Sequence, residues 1–356
     1  MKKAYLVLSN GRVFEGQRMG SQRDSIGELV FTTGMTGYME TLTDPSYAGQ
    51  IITQTFPLIG NVGVIPSDFE GVSACKGYVV RELIQTPSNF RCQGRLEEFL
   101  KEQDIPGICG VDTRELTRLI REEGVMNAAI LSRVPEDLSA IQSFAVTGVV
   151  AQHTCREVHT VPAQGETRYR VALLDYGAKA NIVRTLTAKG CEVTVYPSHT
   201  AAETILAAHP DGLMLSNGPG DPAENTACIA ELKKLMGRLP VFGICLGHQL
   251  AALALGGKTV KLKYGHRGAN QPVTYLQGGR TFITSQNHGY AVVADSLDGV
   301  PTFVNANDGS NEGMDYPDKR CFTVQFHPEA CGGPHDTGFL FDRFISMMGG
   351  GDNAKR

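Results

Sequence analysis

The sequence predicts an α/β protein: a C-terminal doubly wound, mostly parallel sheet with a nucleophile elbow, plus a separate β-rich mixed N-terminal domain. Three observations carry this expectation. The chain has 356 residues, more than one hydrophobic core usually organises, so two domains are expected, each able to fold without metal or disulfide staples. From residue 170 onward, short apolar runs alternate with helical stretches, the rhythm of βα units on a parallel sheet. Before residue 150 the pattern changes to short strand-like pieces with many glycines.

In chain order, strand-like runs at 5–8 and 30–32 are followed by a long stretch, 41–68, that reads as irregular, and the fold of this first domain (1–150) is not legible from pattern alone. Residues 151–169 are polar, carry Pro162 and Gly165 and show neither helical nor strand period, which suits a linker. The second domain (170–348) offers strands at 171–174, 193–196, 213–215, 241–244 and 322–326. Helices are expected at 179–188, 223–236 and 246–255, amphipathic or rich in small residues as sheet-covering helices are. The glycine-rich, charged tail 349–356 is expected to be flexible.

Composition narrows the function classes. A net charge of −4 with interspersed signs offers no basic stripe for nucleic-acid phosphates. The apolar run after Lys2-Lys3 stops at Asn10-Gly11, too early for a signal-peptide core or a membrane span, so a soluble cytoplasmic protein is expected. Nine cysteines, an odd number without a C-x-x-C pair, suggest reduced thiols, most of them small buried hydrophobes.

Chemistry concentrates in the second half. Gly243-Ile244-Cys245-Leu246-Gly247 follows a strand and precedes a helix, the pattern of a glycine-x-nucleophile-x-glycine turn with cysteine as nucleophile. Glycines permit the sharp turn, and the N-terminus of the following helix favours a thiolate. A buried cysteine between packing glycines is the plainer alternative. His327-Pro328-Glu329 closes the last strand. The residue before proline is driven to extended backbone, where positions i and i+2 share a face, so Glu329 can orient His327 as a base for Cys245. A turn with a solvated carboxylate is the alternative there, and His248 or His288 are rival bases.

A third loop, Ser216-Asn217-Gly218-Pro219-Gly220-Asp221-Pro222, also ends a strand. Proline lacks an N–H, so Gly218 is the choice for one oxyanion donor, with Leu246 supplying the other. A plain tight turn before a helix, with Asp221 near the cap, is the alternative. The same loop formally matches G-x-G-x-x-A, but its prolines remove amides a pyrophosphate would need, and it follows the third strand of its domain rather than the first. Gly257-Lys258-Thr259 ends like a phosphate loop but has Ala252 where that loop needs glycine. No nucleotide site is expected on this chain.

Together, Gly-Ile-Cys245-Leu-Gly-His-Gln, the Asn-Gly-Pro-Gly-Asp-Pro loop and His-Pro-Glu329 resemble the class I, triad-type glutamine amidotransferases over roughly 170–345. In the first half, Met35-Thr-Gly-Tyr-Met-Glu40, Leu42-Thr-Asp-Pro-Ser-Tyr47 and Phe56-Pro-Leu-Ile-Gly-Asn-Val-Gly63 resemble the N-terminal domain of carbamoyl-phosphate synthetase small subunits. Gly265-His-Arg-Gly-Ala-Asn270 and Gly333-Pro-His-Asp336 extend that similarity. The resemblance implies a glutaminase with a Cys245, His327, Glu329 triad, passing ammonia to a large partner subunit that uses bicarbonate and ATP. It implies no cofactor on this chain, with ATP and its metal on the large subunit. It also implies glutamine contacts from Ser46, Gly218, Gly220, Leu246, Gln249, Asn287, Gly289 and Tyr290, where the family commonly has phenylalanine at the last position. Ser46 would bring the first domain to the glutamine site, and an exposed apolar patch on that domain is where the partner is expected. Rival readings are a glutaminase serving another synthetase, such as one making guanylate or anthranilate, a γ-glutamyl hydrolase, or a non-catalytic regulatory scaffold.

Overall fold

The computed structural model describes residues 2–350. They fall into two compact units, one formed by 2–147 with 266–268 and the other by 148–265 with 269–350.

The first unit is built on a closed seven-stranded barrel. Its strands are β1 (Lys3–Leu8), β2 (Val13–Gly20), β3 (Ser25–Thr32), β4 (Gln50–Gln54), β5 (Gly77–Val79), β6 (Pro106–Cys109) and β7 (Met126–Leu131). They follow the order β1-β2-β6-β5-β4-β3-β7 around the barrel, with parallel pairs from β3 through β6 and antiparallel pairs elsewhere. Closure leaves no strand edge to pair with another chain. The stretch 41–68 is not irregular: it supplies β4, where Ile51 and Ile52 are both buried. Ile51 and Ile52 are the only aliphatic residues of this strand, and flanking Gln50, Thr53 and Gln54 leave too short an apolar run to mark a buried strand in the sequence. Helix α1 (Thr113–Glu123) starts where the Asp112 carboxylate accepts the N–H groups of Arg114 and Glu115, and it buries Leu116, Leu119 and Ile120.

The second unit carries a ten-stranded sheet. In chain order its strands are β8 (His159–Val161), β9 (Tyr169–Asp175), β10 (Cys191–Pro197), β11 (Gly212–Leu215), β12 (Val241–Ile244), β13 (Lys258–Tyr275), β14 (Thr281–Val293), β15 (Val300–Asn305), β16 (Asn311–Tyr316) and β17 (Cys321–Val324). Their spatial order is β8-β10-β9-β11-β12-β17-β16-β15-β13-β14. The five central strands, β10-β9-β11-β12-β17, are all parallel. Antiparallel strands flank them, with β8 on one side and β16 on the other.

Alternate residues of the central strands feed two cores. Ala172, Leu174, Leu213 and Leu215 pack with Leu232 and Leu250 from α4 (Thr226–Leu235) and α5 (Leu246–Ala254), beside Ala202 and Ile205 of α3 (Ala202–Ala207). Val171, Leu173, Met214 and Phe242 face the other way, against Ile182 and Leu186 of α2 (Ala180–Ala188) and Phe341 and Phe344 of α6 (Phe339–Met348). Helices on both faces of a parallel sheet make the unit doubly wound, and ligands of such sheets bind at the carboxyl ends of the strands.

Residues 151–169, expected as a linker, are built into this unit. Residues Val149–His153 form a short helix, and β8 pairs with β10, matching His159 with Val195 and Val161 with Val193. An exposed three-residue edge strand carries too little hydrophobic signal to be seen in the sequence. The helix expected at 223–236 is split: Pro222–Glu224 form a 3₁₀ turn capped by the Asp221 side chain, and α4 begins only at Thr226. In the tail, residues 351–356 lie outside the described ones.

Candidate active site

The turn after β12 holds Cys245 at φ 52°, ψ −104°, a conformation that L-residues other than glycine rarely adopt. Such strain costs roughly 1–3 kcal/mol and persists only where the surroundings over-determine it. The Cys245 N–H donates to Val324 O at 2.8 Å and the Gly247 N–H to Ser216 O at 3.0 Å, pinning the elbow to the strands on either side. Both glycines are required by close approach. A Cβ at Gly247 would lie 2.5 Å from Leu215 O, and one at Gly243 would lie 2.9 Å from Thr323 Cγ2. Leu246 opens α5, so its N–H has no carbonyl within the helix to bond.

Three residues past β17, His327 Nδ1 meets Glu329 Oε1 at 2.7 Å, and both side chains are buried. A carboxylate accepts, so Nδ1 carries the hydrogen and Nε2 is the ring's basic nitrogen. That Nε2 is buried without a hydrogen-bond partner. The Cys245 thiol donates to the Asn287 carbonyl at 3.6 Å. Burial pushes the Glu329 carboxyl up, but the His327 charge and hydrogen bond, helped by Lys179, outweigh it and the net direction is down. Lys179 Nζ stands 3.7 Å from Glu329 Oε1.

The rival histidines lack that arrangement, although His248 Nε2 is also buried without a partner. His248 Nδ1 contacts Thr323 Oγ1 at 2.8 Å, and burial pushes its imidazole down to about 3. His288 uses Nδ1 on Tyr290 O at 2.7 Å and Nε2 on Gln286 Oε1 at 3.0 Å. His327 combines a carboxylate on one nitrogen with an unengaged second nitrogen, which neither rival does.

The loop after β11 is clamped to the loop after β9. Asn217 Nδ2 donates to Gly177 O at 3.0 Å, while its Oδ1 accepts the Lys179 N–H at 2.9 Å. Ser216 Oγ accepts the Tyr176 N–H at 2.9 Å, and Asp175 Oδ1 accepts the N–H groups of Gly177 and Ala178. Gly218 is wedged in this contact, since a Cβ there would lie 2.3 Å from Tyr176 O and 2.7 Å from Leu246 Cδ2. Gly220 takes φ +89°, a conformation suited to glycine.

Of the remaining expected contacts, Gln249 lies one turn beyond Cys245 on α5, its N–H donating to Cys245 O at 3.2 Å. Its side chain reaches Tyr290 O at 2.9 Å. Asn287, Gly289 and Tyr290 are on β14. Ser46 belongs to the first unit, in the 3₁₀ turn Pro45–Tyr47, where its N–H donates to Asp44 Oδ1 at 2.9 Å. The sequence reading missed Lys179, Asn217 and Gln325. The last had a visible signal, an amide inside the apolar run Phe322-Thr-Val-Gln-Phe326.

Residues 172–347 match the family model described as glutamine amidotransferase class-I, so the second unit is a domain of that class. Residues 6–130 match the model described as carbamoyl-phosphate synthase small chain, CPSase domain. The carbamoyl phosphate synthase small chain of Listeria monocytogenes serotype 4b is 50% identical, covering 100% of this chain and 99% of its own. That of Listeria innocua is 51% identical over 98% of this chain and 97% of its own. That of Fusobacterium nucleatum is 48% identical over 98% and 99%. The chain belongs to the carbamoyl phosphate synthase small chain family.

Proposed function

We propose that the chain is the glutaminase subunit of a carbamoyl-phosphate synthetase, hydrolysing glutamine to glutamate and ammonia through Cys245, His327 and Glu329. The observation that carries this reading is the buried His327–Glu329 pair, whose free Nε2 belongs to the same carboxyl edge of the sheet as the strained cysteine turn. Turning the thiol away from Asn287 O lets Nε2 take its proton. The thiolate then attacks the glutamine carboxamide, with the Gly218 and Leu246 amides holding the oxyanion. His327 returns the proton to departing ammonia, and water activated by the same imidazole releases glutamate from the γ-glutamyl thioester. Ser46, Gly218, Gly220, Leu246, Gln249, Asn287, Gly289 and Tyr290 are the proposed glutamine contacts.

Ammonia would pass to a large partner subunit that consumes ATP and bicarbonate, in the cytoplasm, making carbamoyl phosphate for pyrimidine and arginine biosynthesis. ATP and its metal belong on that subunit, and this chain is proposed to need no cofactor. Phe90 (95% exposed), Val72 (79%) and Met35 (71%) on the first unit give apolar surface of the kind partner contacts use. No described helix is long and apolar enough to cross a membrane.

The test mixes purified chain with a synthetase large subunit, bicarbonate and ATP, and compares glutamine with free ammonia as nitrogen donor. Cys245→Ala is expected to abolish glutamate release and glutamine-dependent synthesis while ammonia still supports product. Glutamate release at the wild-type rate by that variant would refute the proposed nucleophile.

A further inference from the structure

The atoms around Gln249 fix which end of its amide meets a ligand. Gln249 lies on the first turn of α5, four residues after the Cys245 elbow, and its N–H donates to Cys245 O at 3.2 Å, which sets it one turn from the nucleophile. Its Nε2 donates to Tyr290 O and to Gln325 Oε1, each at 2.9 Å. A backbone carbonyl only accepts, so the nitrogen and not the oxygen must face Tyr290. The same carbonyl receives His288 Nδ1 at 2.7 Å, which engages both its lone pairs.

Gln325 supplies the second acceptor. It is fully buried just past β17, its N–H donates to Glu312 O at 2.9 Å, and its own Nε2 has no hydrogen-bond partner. An apolar residue of similar size would avoid that unsatisfied donor, so the atom that gives Gln325 its use is the oxygen turned to Gln249. With both amide protons of Gln249 taken, its Oε1 is what remains for a ligand beside the thiol.

We propose that Gln325 is a positioning residue that holds Gln249 with its oxygen toward the site, so that the site selects carboxamides bearing a protonated amine. The proposal rests on the glutaminase reading above. An oxygen acceptor pairs with an ammonium group and disfavours a second anion, and a site built to accept a substrate N–H rejects an analogue without it.

The test measures ammonia release from L-glutamine and from glutaramate, which keeps the carboxamide and the carboxylate but lacks the α-amine. Gln325→Met removes the acceptor at similar length. It is expected to raise KM for glutamine about tenfold with kcat nearly constant, leave glutaramate kinetics unmoved, and so shrink the preference between the two amides about tenfold. Gln325→Glu, which still offers an oxygen to Gln249 Nε2, is expected to restore most of that preference. An unchanged preference in Gln325→Met, or an equal rise in KM for both amides, overturns the proposal. Should Gln325→Met not fold, Gln249→Met decides by the same ratio, and a preference equal to wild type there overturns it as well. Failure of the unsubstituted protein to release ammonia from glutamine would instead reject the glutaminase reading, and the present proposal with it.

Discussion

Gly218 fills a space with no room for a methyl group, because Tyr176 O and Leu246 Cδ2 both close on it. Gly218→Ala must therefore push the loop away and move the N–H proposed to hold the oxyanion. Loss of one such donor costs two to three powers of ten in rate, on the order of 3–4 kcal/mol. The expected outcome is a fall of about that size in kcat for glutamine hydrolysis, read in a glutamate-release assay. His248 makes a separate prediction. Its imidazole stays neutral in the fold down to about pH 3, whereas the unfolded chain takes up a proton below about 6.5. Between those values acid favours unfolding, so this group lowers stability as pH falls, by about 1.4 kcal/mol per pH unit. Denaturant midpoints from pH 7 to 4 should fall less steeply in His248→Asn than in the wild type. At this scale the sequence was readable where spacing dictates geometry: an extended His-Pro-Glu puts positions i and i+2 on one face, and the two side chains indeed meet at 2.7 Å. Lys179 was not readable, since it approaches Glu329 from far away in the chain, a contact that no local pattern encodes.

Among elements, the two clamped loops decide how well the site is held. Asn217 bonds the backbone of the β9 loop with both ends of its amide and is followed at once by Gly218. Asn217→Ala removes both bonds and lets the neighbouring amide drift. Misplacement of about 1 Å can cost a hundredfold in rate, so kcat should fall by about ten- to a hundredfold, with KM changed far less. Steady-state kinetics separates the two. The central strands were legible because strands buried on both faces read as continuous apolar runs. β8 and β4 were not: one is a short exposed edge strand, and the other is five residues bracketed by Gln50 and Gln54. Helix starts were placed closely where a strand-to-helix turn carries marked chemistry, as at Leu246, and less well where Pro222 inserts a 3₁₀ turn ahead of α4.

Over the whole molecule, the second unit depends on an aromatic cluster on one face of its sheet. Phe242 stacks on Phe322 at 4.4 Å and meets Phe341 edge-on at 5.4 Å. Phe242→Ala is expected to cost about 3–5 kcal/mol, measured as a shift of the urea midpoint, because packed neighbours on three sides cannot collapse into the void. The doubly wound class was legible from its alternating rhythm. The barrel of the first unit was not, since closing seven short strands joins partners far apart in sequence, such as β1 with β7.

The position of β17 has a temporal consequence. This strand is translated last of the ten, yet it lies at the middle of the sheet, between β12 and β16. A chain emerging from the ribosome therefore displays the Cys245 sulfur some eighty residues before the His327 imidazole proposed to activate it. Domains fold as units during synthesis, so under the proposed mechanism a half-made or prematurely ended chain would hold a dormant thiol, and the proposed amide cleavage would switch on only once the last strand slots home.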